Sequence, residues 1–106
     1  MKSETLKGHL ELLLLATVSS GATHGYAIIK ALRERSGALL NLPDGTMYPA
    51  LHRLESAGLL ESGWTEDGGR RKRVYELTPA GREALEQARS EWGEFTRAVD
   101  SIIEWA

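Results

Sequence analysis

A mainly α-helical domain with one small β-hairpin, arranged as a winged helix-turn-helix with an added C-terminal helix, is the fold class that this 106-residue chain predicts. Three observations predict it. Apolar residues recur at helical spacing in three successive segments of the first half. Two short strand-like runs joined by a glycine-containing turn follow them. A long apolar seam then closes the chain. The length suits one compact unit with a single core. Within it, residues 1–81 are expected to form the winged helix-turn-helix domain and residues 82–106 a C-terminal dimerisation helix.

The first helical segment, Glu4 to Ser19, is apolar on nearly every side through Leu6, Leu10, Leu12, Leu13, Leu14, Leu15, Ala16 and Val18. Such a helix must be covered on more than one face, by its own domain and by a second subunit. Leu10, Leu13 and Leu14 are its candidate dimer contacts. Residues 19–23 read as a turn, and a second helix follows over 24–35 with Thr23 as candidate N-cap. Ile28, Ile29 and Leu32 give its core stripe, Lys30, Arg33 and Arg35 face water or a partner, and Gly37 is placed to end it.

The third helix opens within the stretch Gly45-Thr46-Met47-Tyr48-Pro49. Proline in a helix interior loses a backbone hydrogen bond and crowds the preceding turn, but in the first turn the lost N–H had no partner anyway. Thr46 as N-cap satisfies that condition, with Asp44 as the alternative. At about 100° per residue, Met47, Ala50, Leu51, Leu54, Ala57 and Gly58 then share the core arc. Tyr48, Pro49, His52, Arg53 and Ser56 share the opposite one. A phenol, an imidazole, a guanidinium and a hydroxyl near a helix N-terminus suit the end that a recognition helix presents to base edges in the major groove. Any surface helix also turns polar residues outward, so the arc needs its context.

That context lies downstream. Residues 59–65 and 73–77 have strand character, with Asp67-Gly68 as a favoured hairpin turn between them. The run Arg70-Arg71-Lys72-Arg73 puts four cations beside the turn, suited to phosphates. Strand alternation sends Arg71 and Arg73 to one face and Arg70 and Lys72 to the other. Thr78 then caps the last helix, with Pro79 at its first position. Along it Leu85, Ala88, Trp92, Phe95, Val99 and Ile102 follow the a/d pattern of a helix packed along a narrow line against another. The run is too short for an autonomous coiled coil, and docking onto a partner subunit is expected.

Net charge is −2, which by itself argues against a nucleic-acid binder. The charge is unevenly divided, however: residues 1–82 hold eleven Lys/Arg against nine Asp/Glu, and residues 83–106 hold two against six. A DNA-facing surface therefore belongs before residue 82. The longest apolar run, at 12–18, is too short to span a bilayer, no signal peptide is legible, and the absence of cysteine fits a cytoplasmic protein. His9, His24 and His52 fall on three different elements, without a phosphate-binding glycine loop or an HExxH pair, so neither catalysis nor a cofactor or metal is read. The competing non-enzymatic reading is a winged-helix protein-interaction module that never touches DNA. The recognition arc and the basic wing occurring together speak against it.

The stretches THGYAIIKALRERSG, LPDGTMYPALHRLESAGLL and VYELTPAGREAL, with the basic run between the last two, resemble the PadR family of bacterial transcriptional regulators over roughly residues 6–85. The most specific part is GTMYPALHRLESAGLL. The short last helix is similar to the smaller PadR subgroup. Two positions depart from the family pattern: Val74-Tyr75 stands where an aromatic pair is common, and Arg71 where proline is common. The resemblance implies a homodimeric repressor on a palindromic double-stranded DNA operator, the last helix of one subunit packing on the first helix of the other. Carried over by position, it assigns Thr46, Tyr48, Pro49, His52 and Arg53 to the recognition helix, Lys30 to a phosphate contact, and Arg70, Arg71, Lys72 and Arg73 to the wing. It further implies a small aromatic or hydrophobic effector, because Trp92 matches a tryptophan that lines the dimer pore in some relatives. Trp92 is also what a large knob in a dimer seam looks like.

Overall fold

The computed structural model describes residues 8–106, so Glu4 and Leu6 of the expected first helix lie outside the described residues. The elements run α1 (Leu10–Ser19), α2 (Gly25–Arg35), α3 (Asp44–Ser56), β1 (Leu60–Asp67), β2 (Arg70–Leu77) and α4 (Pro79–Trp105). This is the mainly α architecture with one two-stranded antiparallel sheet that the sequence predicts. No helix among the described residues is long and apolar enough to cross a membrane.

Helix α1 is apolar on all sides because it is the centre of the core. Leu14 and Leu15 are fully buried, and α2, α3, β2 and α4 all pack against the helix. The core continues through Ile28, Leu32, Met47, Leu51, Leu54, Leu60, Tyr75 and Leu85. This corrects part of the expected dimer surface. Leu10, Leu14 and Leu85 are buried within a single chain and have almost no surface left for a partner. The first turns of α4 fold back over α1 and cover it, leaving Leu12, Leu13 and Ala16 partly buried at the margin.

Helix α2 is capped by His24, whose Nδ1 accepts from the Ala27 N–H at 3.4 Å, and not by Thr23. The Thr23 carbonyl is used elsewhere: it accepts from the Tyr75 N–H at 2.8 Å, tying the entry of α2 to strand β2. Gly37 ends the helix as expected, with φ +62°. The Ala38 N–H returns to the Arg33 carbonyl at 2.8 Å and the Gly37 N–H to the Glu34 carbonyl at 3.3 Å, which together make a Schellman motif.

Helix α3 starts three residues earlier than the Thr46 cap predicts. Pro43 is its N-cap, and the Pro43 carbonyl accepts from both Thr46 and Met47 N–H at 3.0 Å. Pro49 therefore sits in the second turn, where its missing N–H would have met the Gly45 carbonyl. Gly45 is exposed and has no side chain, so water can reach that carbonyl. Met47, Ala50, Leu51 and Leu54 are buried as the helical arc requires. Ala57 and Gly58 are exposed instead, because the chain leaves the helix there: Ala57 is the C-cap and Gly58 has φ +78°.

The hairpin turn is Gly68-Gly69 and not Asp67-Gly68. Both glycines have positive φ, +60° and +79°, the combination a two-residue turn matched to strand twist requires. Asp67 pairs with Arg70 and Leu60 with Leu77, so the strands are longer than the sequence suggests and the basic run lies within β2. Helix α4 begins as expected: Thr78 Oγ1 accepts from the Gly81 N–H at 3.0 Å, and Pro79 is the first helical residue. The boundary expected at residue 82 thus falls inside α4. With 27 residues the helix is about 40 Å long, and it accounts for much of the molecule's 57 Å length.

Gly81 lies where α4 crosses the Leu59 carbonyl so closely that a Cβ would collide with that oxygen. Backbone cannot step aside as a flexible side chain can. Gly81→Ala is therefore expected to destabilise the chain by about 1–3 kcal/mol. Urea unfolding measures it, and an unchanged midpoint would contradict the packing described.

Candidate nucleic-acid interface

The exposed face of α3 is divided between two grooves. Tyr48 lies on the wing side, in a groove of about 670 Å³ bordered also by His24, Gly25, Tyr26, Trp64, Tyr75 and the basic run Arg70–Arg73. Thr46, Pro49 and Arg53 lie on the other side, along a groove of about 680 Å³ floored by Leu10, Ala50 and Leu54. His52 is exposed one turn beyond Tyr48. The five recognition-helix candidates thus form two lines, Tyr48 with His52 and Thr46 with Pro49 and Arg53.

Tyr48 reaches the wing side because α2 opens on a glycine. A Cβ at Gly25 would meet the Tyr48 hydroxyl, so the absence of a side chain lets the phenol ring lie against the first turn of α2. Tyr26 follows on the same turn, 71% exposed. Lys30 stands one turn further along the same face, also exposed and 4.0 Å from Glu34.

The wing forms the opposite wall. Strand alternation and the register put Leu60, Ser62, Trp64 and Glu66 on one face with Tyr75, Arg73 and Arg71. At the base this face is core, since Leu60 and Tyr75 are buried; towards the tip it is a cationic surface on an aromatic ring. The Arg71 and Arg73 guanidiniums lie 4.7 and 5.3 Å from the centroid of the Trp64 ring, within range of cation–π attraction. Arg73 also comes within 3.6 Å of Glu55 on α3, and the Ser62 hydroxyl donates to the same carboxylate oxygen at 2.6 Å. Burial pushes the Tyr75 phenol above its ordinary pKa of 10.0, against the pull of the Arg73 guanidinium beside it. Arg70 and Lys72 belong to the other strand face by alternation, Arg70 exposed and Lys72 half-buried.

Tyr26, Trp64, His24 and Gly25 also border the groove, and no sequence pattern marks them as part of it. Trp64 could have been found only by pairing it with Arg73, which needs the register and hence the right turn glycines. Tyr26 carries no periodic signal.

The outer part of α4 has a different character. Trp92, Phe95, Ile102, Ile103 and Trp105 are exposed, between 44% and 86%, while Ala88 and Val99 are half-buried. Trp92 packs in a T-shaped arrangement with His9 at 4.8 Å between ring centroids and lies 6.1 Å from Phe95. These rings border a groove of about 350 Å³ between the start of α1 and α4.

The model of the transcriptional regulator PadR-like family matches residues 14–87. A transcriptional regulator of Mycobacterium tuberculosis is 38% identical over 96 residues, covering 91% of this chain and 87% of its own. Among solved structures, a PadR family transcription regulator from Clostridium difficile superposes with a TM-score of 0.81 at 32% identity, covering 91% of this chain and 99% of the other. A transcriptional regulator from Clostridium thermocellum superposes with a TM-score of 0.84 at 26% identity, covering 92% and 96%.

Proposed function

The chain belongs to the PadR-like family of transcriptional regulators, and from that premise we propose that it acts as a homodimeric repressor that reads a palindromic DNA operator with α3 and grips the backbone with its wing. One observation carries the reading: the exposed recognition-helix residue Tyr48 and the wing cations Arg70–Arg73 border the same groove. A duplex backbone passing between a helix in the major groove and a wing would meet the exposed Tyr26 hydroxyl on one side and guanidiniums on the other, both good phosphate partners, while α3 faces the base edges. Tyr48, His52, Thr46, Pro49 and Arg53 are the base-edge candidates in this reading, and Lys30, Arg70, Arg71 and Lys72 the phosphate contacts. A protein-interaction module would have no use for that convergence.

The exposed stripe of α4 supports the dimer. Five large apolar side chains uncovered on one helix make a patch of the kind that marks an interaction surface. Ala88, Trp92, Phe95, Val99 and Ile102 form its seam in this reading, with Leu13 at the margin of α1. Two copies joined there would present paired recognition helices to half-sites one helical turn apart, about 34 Å. A small planar aromatic or hydrophobic effector held at Trp92 between the two α4 helices would change that spacing and release the operator. Trp92 in this reading packs the seam first and meets the effector second.

If the dimer neutralises about six to eight phosphates, log affinity should fall against log salt with a slope of about −5 to −7. Replacing Arg70 and Arg71 by alanine should weaken binding to all duplexes alike, whereas Tyr48→Ala and His52→Ala should mainly relax preference for the operator. Fluorescence anisotropy across a salt series tests both, and a salt-insensitive complex would sink the reading. Phe95→Glu combined with Ile102→Glu is expected to yield a folded monomer in analytical ultracentrifugation, because a buried unpaired carboxylate at the seam is costly; a persistent dimer would place the interface elsewhere. In a variant keeping Trp92 but lacking Trp64 and Trp105, planar aromatic compounds should quench the indole fluorescence, and no quenching up to their solubility would remove the effector.

A further inference from the structure

We propose that Glu55 and Arg73 form a strut that sets the angle between the recognition helix and the wing, so that Arg73 is a positioning residue and the phosphate grip of this wing face rests on Arg71. The assignment rests on the DNA-binding reading above. Glu55 sits in the last turn of α3, and a single oxygen of its carboxylate, Oε2, takes the Ser62 hydroxyl of β1 at 2.6 Å and faces Arg73 Nη2 of β2 at 3.6 Å. One side chain of the recognition helix therefore holds both strands of the wing. On its other side the Arg73 guanidinium lies over the Trp64 ring and beside the buried Tyr75 phenol. One N–H edge and one face of the guanidinium thus already have partners within the chain.

Arg71 differs although it shares the strand face. It stacks on the same ring at 4.7 Å, but no carboxylate ion-pairs with it among the described residues, and it lies nearer the tip of the wing. Stacking holds the guanidinium plane while leaving its N–H edges available, the arrangement suited to a phosphate. A phosphate taking the Nη2 edge of Arg73 would compete with Glu55 and leave that carboxylate facing the DNA backbone. A half-exposed ion pair adds little to folding stability, so the contribution of this one is geometric: it fixes where the wing stands relative to Tyr48 and His52.

The test uses the full chain and a fluorescein-labelled mixed-sequence duplex roughly three helical turns long, with affinity measured by anisotropy over a range of salt. Arg71→Gln is expected to reduce the steepness of log affinity against log salt by about 0.9 for each chain bound. Arg73→Gln is expected to leave the steepness unchanged while weakening binding several-fold. Glu55→Ala is expected to weaken binding too, although removing a negative charge near DNA would by electrostatics alone tighten it. The double variant should be no weaker than the weaker single one, because either change breaks the same strut. A loss of steepness in Arg73→Gln equal to that of Arg71→Gln would make Arg73 a phosphate contact and overturn the assignment. Tighter binding by Glu55→Ala, or additive losses in the double variant, would overturn it as well. Circular dichroism controls for folding, and Arg73→Met, which keeps an apolar stem over the Trp64 ring and removes the charge, replaces Arg73→Gln if that variant does not fold, with unchanged steepness again expected. If the unsubstituted chain bound no duplex, the DNA-binding reading itself would fail and the strut's role with it.

Discussion

Burial of α1 is the constraint on which the rest of the structure depends. Leu14 and Leu15 are fully enclosed, and every other helix among the described residues, together with strand β2, packs against this one element. Each Leu side chain taken wholly out of water contributes about 1.5–3 kcal/mol, so moving one neighbour of α1 uncovers surface that the others share. The helix carrying Tyr26 and Lys30 and the helix carrying Tyr48, His52 and Arg53 keep their relative positions because both rest on the same rod. Interiors packed at crystal density transmit such constraints without much give.

Close approach then turns a packed core into a shaped surface. Gly25 lets Tyr48 lie on the first turn of α2, and Gly81 lets α4 cross the Leu59 carbonyl. The hydrogen bond from Tyr75 N–H to the Thr23 carbonyl joins β2 to the chain entering α2. The walls of the wing groove are thus linked to each other by backbone as well as by side chains. Pro49 adds a further condition, because α3 can hold it in its second turn only where the Gly45 carbonyl stays open to water.

Charge follows the same division of labour. A chain with a net charge of −2 can still offer DNA a cationic groove, because the electrostatic footprint is local. Arg70, Arg71, Lys72 and Arg73 gather on one strand, whereas residues 83–105 of α4 carry six acidic side chains against two basic ones. The acidic helix also bears the exposed apolar stripe, so the part of the chain least suited to DNA is the part suited to a second protein surface.

Helical and strand periodicity revealed the element order and the buried arc Met47, Ala50, Leu51 and Leu54, and residue chemistry the Thr78 cap and the basic run, because all of these depend on residues close together in the chain. The places where the sequence misled are those where local preferences compete. Thr46 and Thr23 are good caps, yet Pro43 and His24 hold those positions because neighbouring elements decide where each helix starts. Asp67-Gly68 is a good turn, yet Gly68-Gly69 makes it because the strand register brings Asp67 opposite Arg70. Leu10, Leu14 and Leu85 looked available to a partner and are core, since an apolar pattern says that a face is covered but not by what. Only the tertiary structure sets Trp64 beneath Arg71 and Arg73, places Arg73 against Glu55 and opens one groove between Tyr48 and the wing. Those relations join residues far apart in the chain, and side-chain spacing along one element carries no information about distances between elements.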